Sequence, residues 1–142
     1  MELNMNLIAM MRKTKMRRMN KQVGGSHYEN LYIEPVQFFV SMNTNWFQGE
    51  VVKYCSRFLN KNGKEDLLKA QQVCQLATQF GLNQAKLFQC EDHEDFIKKY
   101  CGQFEYSDRM ELICQAILKN NYPVAHIFIE QLMDRYYGKE SV

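Results

Sequence analysis

From Pro35 onward, apolar residues recur at three- and four-residue spacing in one segment after another, and strict alternation of the strand kind is scarce. Glu34-Pro35 places a proline at a first turn and predicts a short helix over 34–43. Asn45 followed by Gln48 has the spacing of a reciprocal N-terminal cap and opens a helix from Trp46 to about Lys61. On that helix Phe47, Val51, Tyr54 and Phe58 form an apolar stripe, and Asn62-Gly63 ends it in a tight turn. A third helix is expected from Lys64 to Phe80, with Glu65 and Asp66 in the first turn and Gly81 at its end. Its inward positions are Leu67, Ala70, Cys74 and Ala77.

Residues 83–94 are more polar and read as a linker. Beyond them the periodicity predicts helices at 94–104, 107–119 and 123–137, arranged as a hairpin with one helix leading into it. Ser107 and Asp108 are expected to cap one of these, Asn121 and Pro123 to start the next, and Gly138 to end it. Met110, Ile113, Cys114 and Ile117 form one stripe; Ile127, Phe128, Gln131, Leu132 and Arg135 form a second, with polar outer members. The expected fold is all-α: an arm at 1–23, a small helical domain at 24–82 and a C-terminal helical hairpin at 83–142.

Composition narrows the class. The 142 residues are 46% apolar and 24% charged, which excludes a wholly disordered chain, and no apolar run approaches the roughly 20 residues that span a bilayer. The net charge of +2 hides an uneven distribution. Residues 1–24 hold six basic residues and one acid, whereas the other 118 hold 12 basic and 15 acidic. In the first 22 residues a short apolar stretch precedes the charges, opposite to a secretion signal, so a cytoplasmic location is expected. Two readings of this Met-rich segment stay open: a true start at Met16 or Met19, or a basic arm that touches an anionic partner or a neighbouring subunit. No aromatic residues interleave with the basic ones, so nucleic acid is not expected as a partner.

Five cysteines, odd in number and without a CxxC pair, read as reduced core thiols rather than a disulfide framework. Cys90 and His93 are spaced as metal ligands can be, but Cys101 and Cys114 do not complete a set of four, and no metal is expected. There is no GxxxxGK[ST] loop, dinucleotide glycine fingerprint, GxSxG, HExxH or EF-hand.

The chemistry-bearing stretch lies on the second helix. Lys53, Arg57 and Lys61 are spaced i, i+4, i+8, with Lys64 and Lys69 a few residues on and His27 and Tyr28 upstream. Arginine offers a fork for phosphate, lysine a mobile charge and tyrosine a stacking face. The competing reading is a solvated basic face neutralised by Glu65 and Asp66.

The series Ser26-His27-Tyr28, Ile33-Glu34-Pro35, Phe47 and Gly49, Lys53-Tyr54 with Arg57 and Lys61, then Glu65-Asp66-Leu67 with Lys69-Ala70 resembles a small helical domain of tailed bacteriophages, often described only as of unknown function. It is similar to the C-terminal domain of an early-region coliphage kinase that phosphorylates deoxynucleoside monophosphates without a Walker loop. The resemblance covers about residues 24–80 and implies a nucleotide ligand held by Tyr28, Lys53, Tyr54, Arg57, Lys61 and Lys69. It further implies His27 as acid–base and Asp66 as the residue orienting an acceptor, with ATP as phosphoryl donor in the case of a kinase and otherwise no cofactor. The chain departs from the pattern at Glu50, where the family has asparagine, and lacks the kinase's long N-terminal region. Three functions are therefore carried forward. They are a nucleotide kinase, a non-catalytic sponge for a cyclic-nucleotide or ADP-ribose-type immune signal, and a helical adaptor that blocks a host protein. A homo-oligomer is expected, because short helices this rich in aromatics seldom hide every apolar face within one small chain.

Overall fold

A computed structural model describes residues 31–82 and 93–138. Among these residues the fold is all-α, with helices α1 (Pro35–Met42), α2 (Trp46–Arg57), α3 (Lys64–Gln79), α4 (Glu94–Gly102), α5 (Ser107–Leu118) and α6 (Tyr122–Tyr137). A 3-10 turn, Phe58–Asn60, follows α2. No helix of the described residues is long and apolar enough to cross a membrane.

Most helix ends obey local chemistry. Asn45 and Gln48 cap α2 reciprocally: Gln48 N–H donates to Asn45 Oδ1 at 2.8 Å and Asn45 N–H to Gln48 Oε1 at 2.9 Å. Glu34 and Gln37 repeat the device on α1, where Glu34 N–H donates to Gln37 Oε1 at 2.7 Å beside Pro35. Asn121 accepts from Val124 N–H to open α6, and Gly138, at φ 73°, closes it. The start of α5 differs from expectation. Tyr106 occupies its N-cap position, and Asp108 lies in the first turn, where both its oxygens accept from Arg135 at 3.0 and 2.7 Å.

The second helix is shorter than its periodicity predicts. It ends at Arg57 because Gly63 N–H reaches back to Phe58 O at 2.8 Å, tightening the chain into the 3-10 turn. Gly63 takes φ 59° and ψ −134° to do so, a combination reserved for a residue without Cβ.

Helix α3 lies at the centre, packed on α2 along one flank and on α6 along the other; α6 in turn packs on α5, and α5 on α4. One buried cluster therefore draws on both sequence halves, from Ile33, Phe38, Val51 and Phe58 through Leu67 and Cys74 to Ile113, Tyr122 and Leu132. The inward positions expected on α3 and the Met110–Ile117 stripe on α5 are all buried. Two facings differ. On α2 the buried residues are Gln48, Gly49, Val51, Val52, Cys55 and Ser56, which leaves Phe47 and Tyr54 half-buried at the edge. On α6 they are Tyr122, Ala125, Ile129, Leu132 and Met133, while Ile127, Gln131 and Arg135 face out. The reason is tertiary: α6 lies between α3 and α5, so two neighbours rather than one fix its buried arc.

Polar ties join the halves through the core. Tyr106 O–H donates to Cys55 O at 2.6 Å, and Gln48 Nε2 donates to Ile117 O at 3.0 Å. Ser56 gives its hydroxyl proton to Val52 O, so in the 2.6 Å bond between Ser56 Oγ and Tyr100 Oη the tyrosine is the donor. Gln103 clamps Ile33 at both backbone groups, accepting from its N–H at 3.0 Å and donating to its C=O at 2.7 Å. Breaking any one of these strands a buried polar group, at a cost of about 1–3 kcal/mol.

Candidate functional site

The rotation of α2 decides what Tyr54 does. Turned out of the core, its ring becomes a platform on which three cations converge. Lys53 Nζ lies 4.5 Å from the ring centroid, the Arg57 guanidinium carbon 4.9 Å and Lys69 Nζ 5.8 Å. Lys53 and Arg57 come from α2, as the row predicted, but the third member comes from the neighbouring helix. Lys61 lies past the end of α2, exposed at the close of the 3-10 turn, so the i+8 position leaves the row.

Each cation also faces a carboxylate. Lys53 pairs with Glu50 at 2.6 Å, Arg57 with Asp66 at 3.3 Å and Lys69 with Glu65 at 3.5 Å. Glu50 is thus the partner of the first lysine. The three pairs are not equivalent. The Lys53–Glu50 and Lys69–Glu65 pairs are solvent-accessible and span one helical turn each, a class worth about 0–1 kcal/mol. Arg57 is only 12% exposed and Asp66 fully buried, so removing either partner leaves a desolvated charge behind.

Asp66 accepts not only from Arg57 but also from Asn62, through its backbone N–H at 3.3 Å and its Nδ2 at 3.4 Å. The carboxylate ties the first turn of α3 to the turn that ends α2, and all three donors come from that junction. Tyr137, from the far end of the chain, closes the same corner. Its hydroxyl lies 3.3 Å from where a Cβ on Gly63 would be, and burial together with the Asp66 charge raises its pKa. Only the fold brings Tyr137, from the end of α6, against Gly63.

His27 and Tyr28, the acid–base and stacking candidates, lie outside the described residues. So does Cys90 of the Cys90–His93 pair, and among the described residues no group of three His, Cys, Asp or Glu side chains could hold a metal. The four described cysteines, Cys55, Cys74, Cys101 and Cys114, are buried. Burial pushes the Cys74 thiol up to about 12 and raises Cys55 as well, with Cys74 adding to the shift, so these two thiols stay protonated at neutral pH.

Lys69 stands between the Tyr54 platform and a shallow cleft of about 500 Å³ across the outer face of α3, where Gln72, Gln75 and His126 also contribute. The platform and this rim together offer mobile ammonium groups, one fixed guanidinium, an aromatic face and neutral amides. That set suits an anion carrying a flat or hydrogen-bonding group.

No curated protein and no solved structure matches the chain. One family model does, described as a protein of unknown function (DUF3310), and it covers residues 19–75. Its match ends within α3, so α4 to α6 and Tyr137 lie beyond it. Residues 19–75 are a DUF3310 domain, a domain of unknown function, and Lys53, Tyr54, Arg57, Asp66 and Lys69 all fall inside it.

Proposed function

We propose that the chain binds a phosphorylated ligand of the nucleotide class at the Tyr54 platform and holds it without turning it over. The observation that carries this reading is the convergence of Lys53, Arg57 and Lys69 on one tyrosine ring from two helices. A phosphate displaces Glu65 from Lys69 at little cost, because an exposed lysine–carboxylate pair contributes about 0–1 kcal/mol. Hydrogen bonds to a charged group return about 1.5–3 kcal/mol apiece. Arg57, fixed by Asp66, supplies a positive centre whose position needs no rearrangement.

Holding is favoured over phosphoryl transfer by the state of Asp66. Its two oxygens already accept from Arg57 and Asn62 inside the fold, which suits a support for the guanidinium better than a group that orients an acceptor hydroxyl. On this reading the protein acts as a sponge for a nucleotide signal of the cyclic or ADP-ribose kind, and the kinase is the competing chemistry on the same ligand class.

Isothermal titration of the full chain with deoxynucleoside monophosphates, a cyclic dinucleotide, ADP-ribose and pyrophosphate tests it, with ATP–Mg²⁺ incubations followed by chromatography. At least one ligand is expected to bind, to be recovered unchanged after denaturation, and to bind more than about tenfold more weakly to Lys53→Ala and Lys69→Ala, a loss of about 1.4 kcal/mol. No binding anywhere in the panel at millimolar concentration refutes the site, and a phosphorylated product formed from ATP refutes holding.

A further inference from the structure

One face of α3 changes character along its length. Glu65 and Lys69 in its first half are charged, whereas Gln72, Gln75 and Gln79, each one turn further on, are amides. Lys69 and Gln79 stand ten residues apart, about 15 Å along the helix. The facing wall comes from the first half of α6, where Pro123 and His126 lie one turn apart. Gln71 spans the two walls: its Nε2 donates to His126 O at 3.3 Å and to Glu130 Oε2 at 2.7 Å. The backbone of α6 is thereby pinned to α3 at the residue that carries the imidazole.

Two clefts open between these helices. The one of about 500 Å³ beside Lys69 borders the Tyr54 platform. The other, of about 610 Å³, is lined by Gln75, Thr78 and Gln79 of α3 and by Tyr122, Pro123 and His126 of α6. Gln75 and His126 line both, so the second cleft continues the first. Among the described residues no Lys, Arg, Asp or Glu lines the second cleft. Its chemistry is neutral hydrogen bonding. Each glutamine amide carries donors and an acceptor, and a neutral imidazole carries one of each. Thr78 gives its hydroxyl proton to Cys74 O at 3.0 Å, so towards the cleft it can only accept. Buried Tyr122 and the ring of Pro123 add apolar surface.

We propose that the second cleft seats the base of a nucleotide whose phosphate is held by Lys69 and the Tyr54 platform, with Gln75, Gln79 and His126 reading the base edge. The proposal rests on the reading of that platform as a phosphate site, and narrows its ligand from any phosphate to one that carries a base with an exocyclic amino group. The cleft has the volume of a small-molecule site, with apolar surface and a few polar groups. Glutamine amides pair with a base edge through donor and acceptor together, and the accepting Thr78 hydroxyl suits an amino group. Cations at one end and neutral amides two to three turns away match a molecule that is anionic at one end and flat, uncharged and hydrogen-bonding at the other. Inorganic phosphate and sugar phosphates have nothing to place in the second cleft.

The test divides the ligand into halves. The full chain is titrated with pyrophosphate, with adenosine and cytidine, and with the matching nucleoside diphosphates, by calorimetry and by NMR of the Thr78 amide and the His126 ring. Each half should bind weakly by itself, the nucleosides shifting both signals, and at least one diphosphate should bind more than about tenfold tighter than either half. Gln75→Ala and His126→Ala, both outside the buried core, should weaken nucleoside and diphosphate by more than about fivefold, leaving pyrophosphate and helicity unchanged. Lys69→Ala should do the reverse, weakening pyrophosphate and sparing the nucleosides. Pyrophosphate binding with no response of Thr78 or His126 to either nucleoside overturns the base seat while the anion site stands. So does a diphosphate whose affinity both cleft variants leave unchanged. Nucleosides that shift Thr78 and His126 in a chain that does not bind pyrophosphate support the seat and refute the anion site instead.

Discussion

Replacing Asp66 by alanine removes the carboxylate beneath the Arg57 guanidinium, and the consequence can be worked from the structure. Asp66 is fully buried and Arg57 12% exposed, so the arginine left behind is a largely desolvated charge that has lost the Asp66 carboxylate. Breaking a buried pair in this way costs about 3–5 kcal/mol, and the residual exposure of Arg57 puts this case near the lower figure. The two bonds from Asn62 go as well, though its exposed side chain can turn to water. A loss of about 3–4 kcal/mol is a large fraction of the 5–15 kcal/mol typical of a domain. For a chain of 142 residues it lowers Tm by roughly 10–15 °C. Thermal and urea unfolding followed by circular dichroism give the number. Adding Arg57→Met removes the desolvated charge as well, so the double variant should be less destabilised than the sum of the singles by about 1–3 kcal/mol. A Tm loss below about 3 °C for Asp66→Ala, or strict additivity in the cycle, refutes the view of Asp66 as the buried support of Arg57. Should Asp66→Asn keep its stability and abolish a measured turnover, the carboxylate is catalytic instead.

Three further outcomes are expected. Gly63→Ala forces a Cβ onto φ 59° and ψ −134° and to within 3.3 Å of the Tyr137 hydroxyl, so urea denaturation should show a loss of about 1–3 kcal/mol that Tyr137→Ala does not recover. Gln103→Ala strands both backbone groups of buried Ile33, and hydrogen exchange should show the Ile33 amide losing its protection, with about 1–3 kcal/mol lost for each group left unmade. The paired hydrogen bonds from Arg135 hold the Asp108 carboxyl at about 2, below its ordinary 3.8, and a carboxyl NMR titration should find that midpoint and see it rise in Arg135→Gln. Because the folded-state value is the lower one, the pair's contribution is present above about pH 3.8 and is lost as pH falls towards 2; with both side chains exposed it is under about 1 kcal/mol.

The positions of the helices, more than their facings, were legible along the chain. Asn45 with Gln48, Pro35, Pro123, Gly81 and Gly138 act within a few residues of themselves, so the sequence alone placed α3 at Lys64–Gln79 and α6 at Tyr122–Tyr137 to within a residue. The pairs Lys53–Glu50 and Lys69–Glu65 are also local, three and four residues apart, and follow from spacing once a helix is granted. Tertiary structure decided the rest. Helix α2 has apolar residues around more than half its circumference, so its periodicity fits two stripes; packing against α3 and α5 chose Val51, Val52 and Cys55, and so released Tyr54 to the surface. The reach of Gly63 N–H to Phe58 O took Lys61 out of the cationic row, and the adjacency of α3 put Lys69 over the ring instead. Asp66 could be read as an acid in a first turn, but that it is buried under Arg57 is a long-range fact. Short-range chemistry fixes where a helix begins and ends; which way it faces is a property of its neighbours.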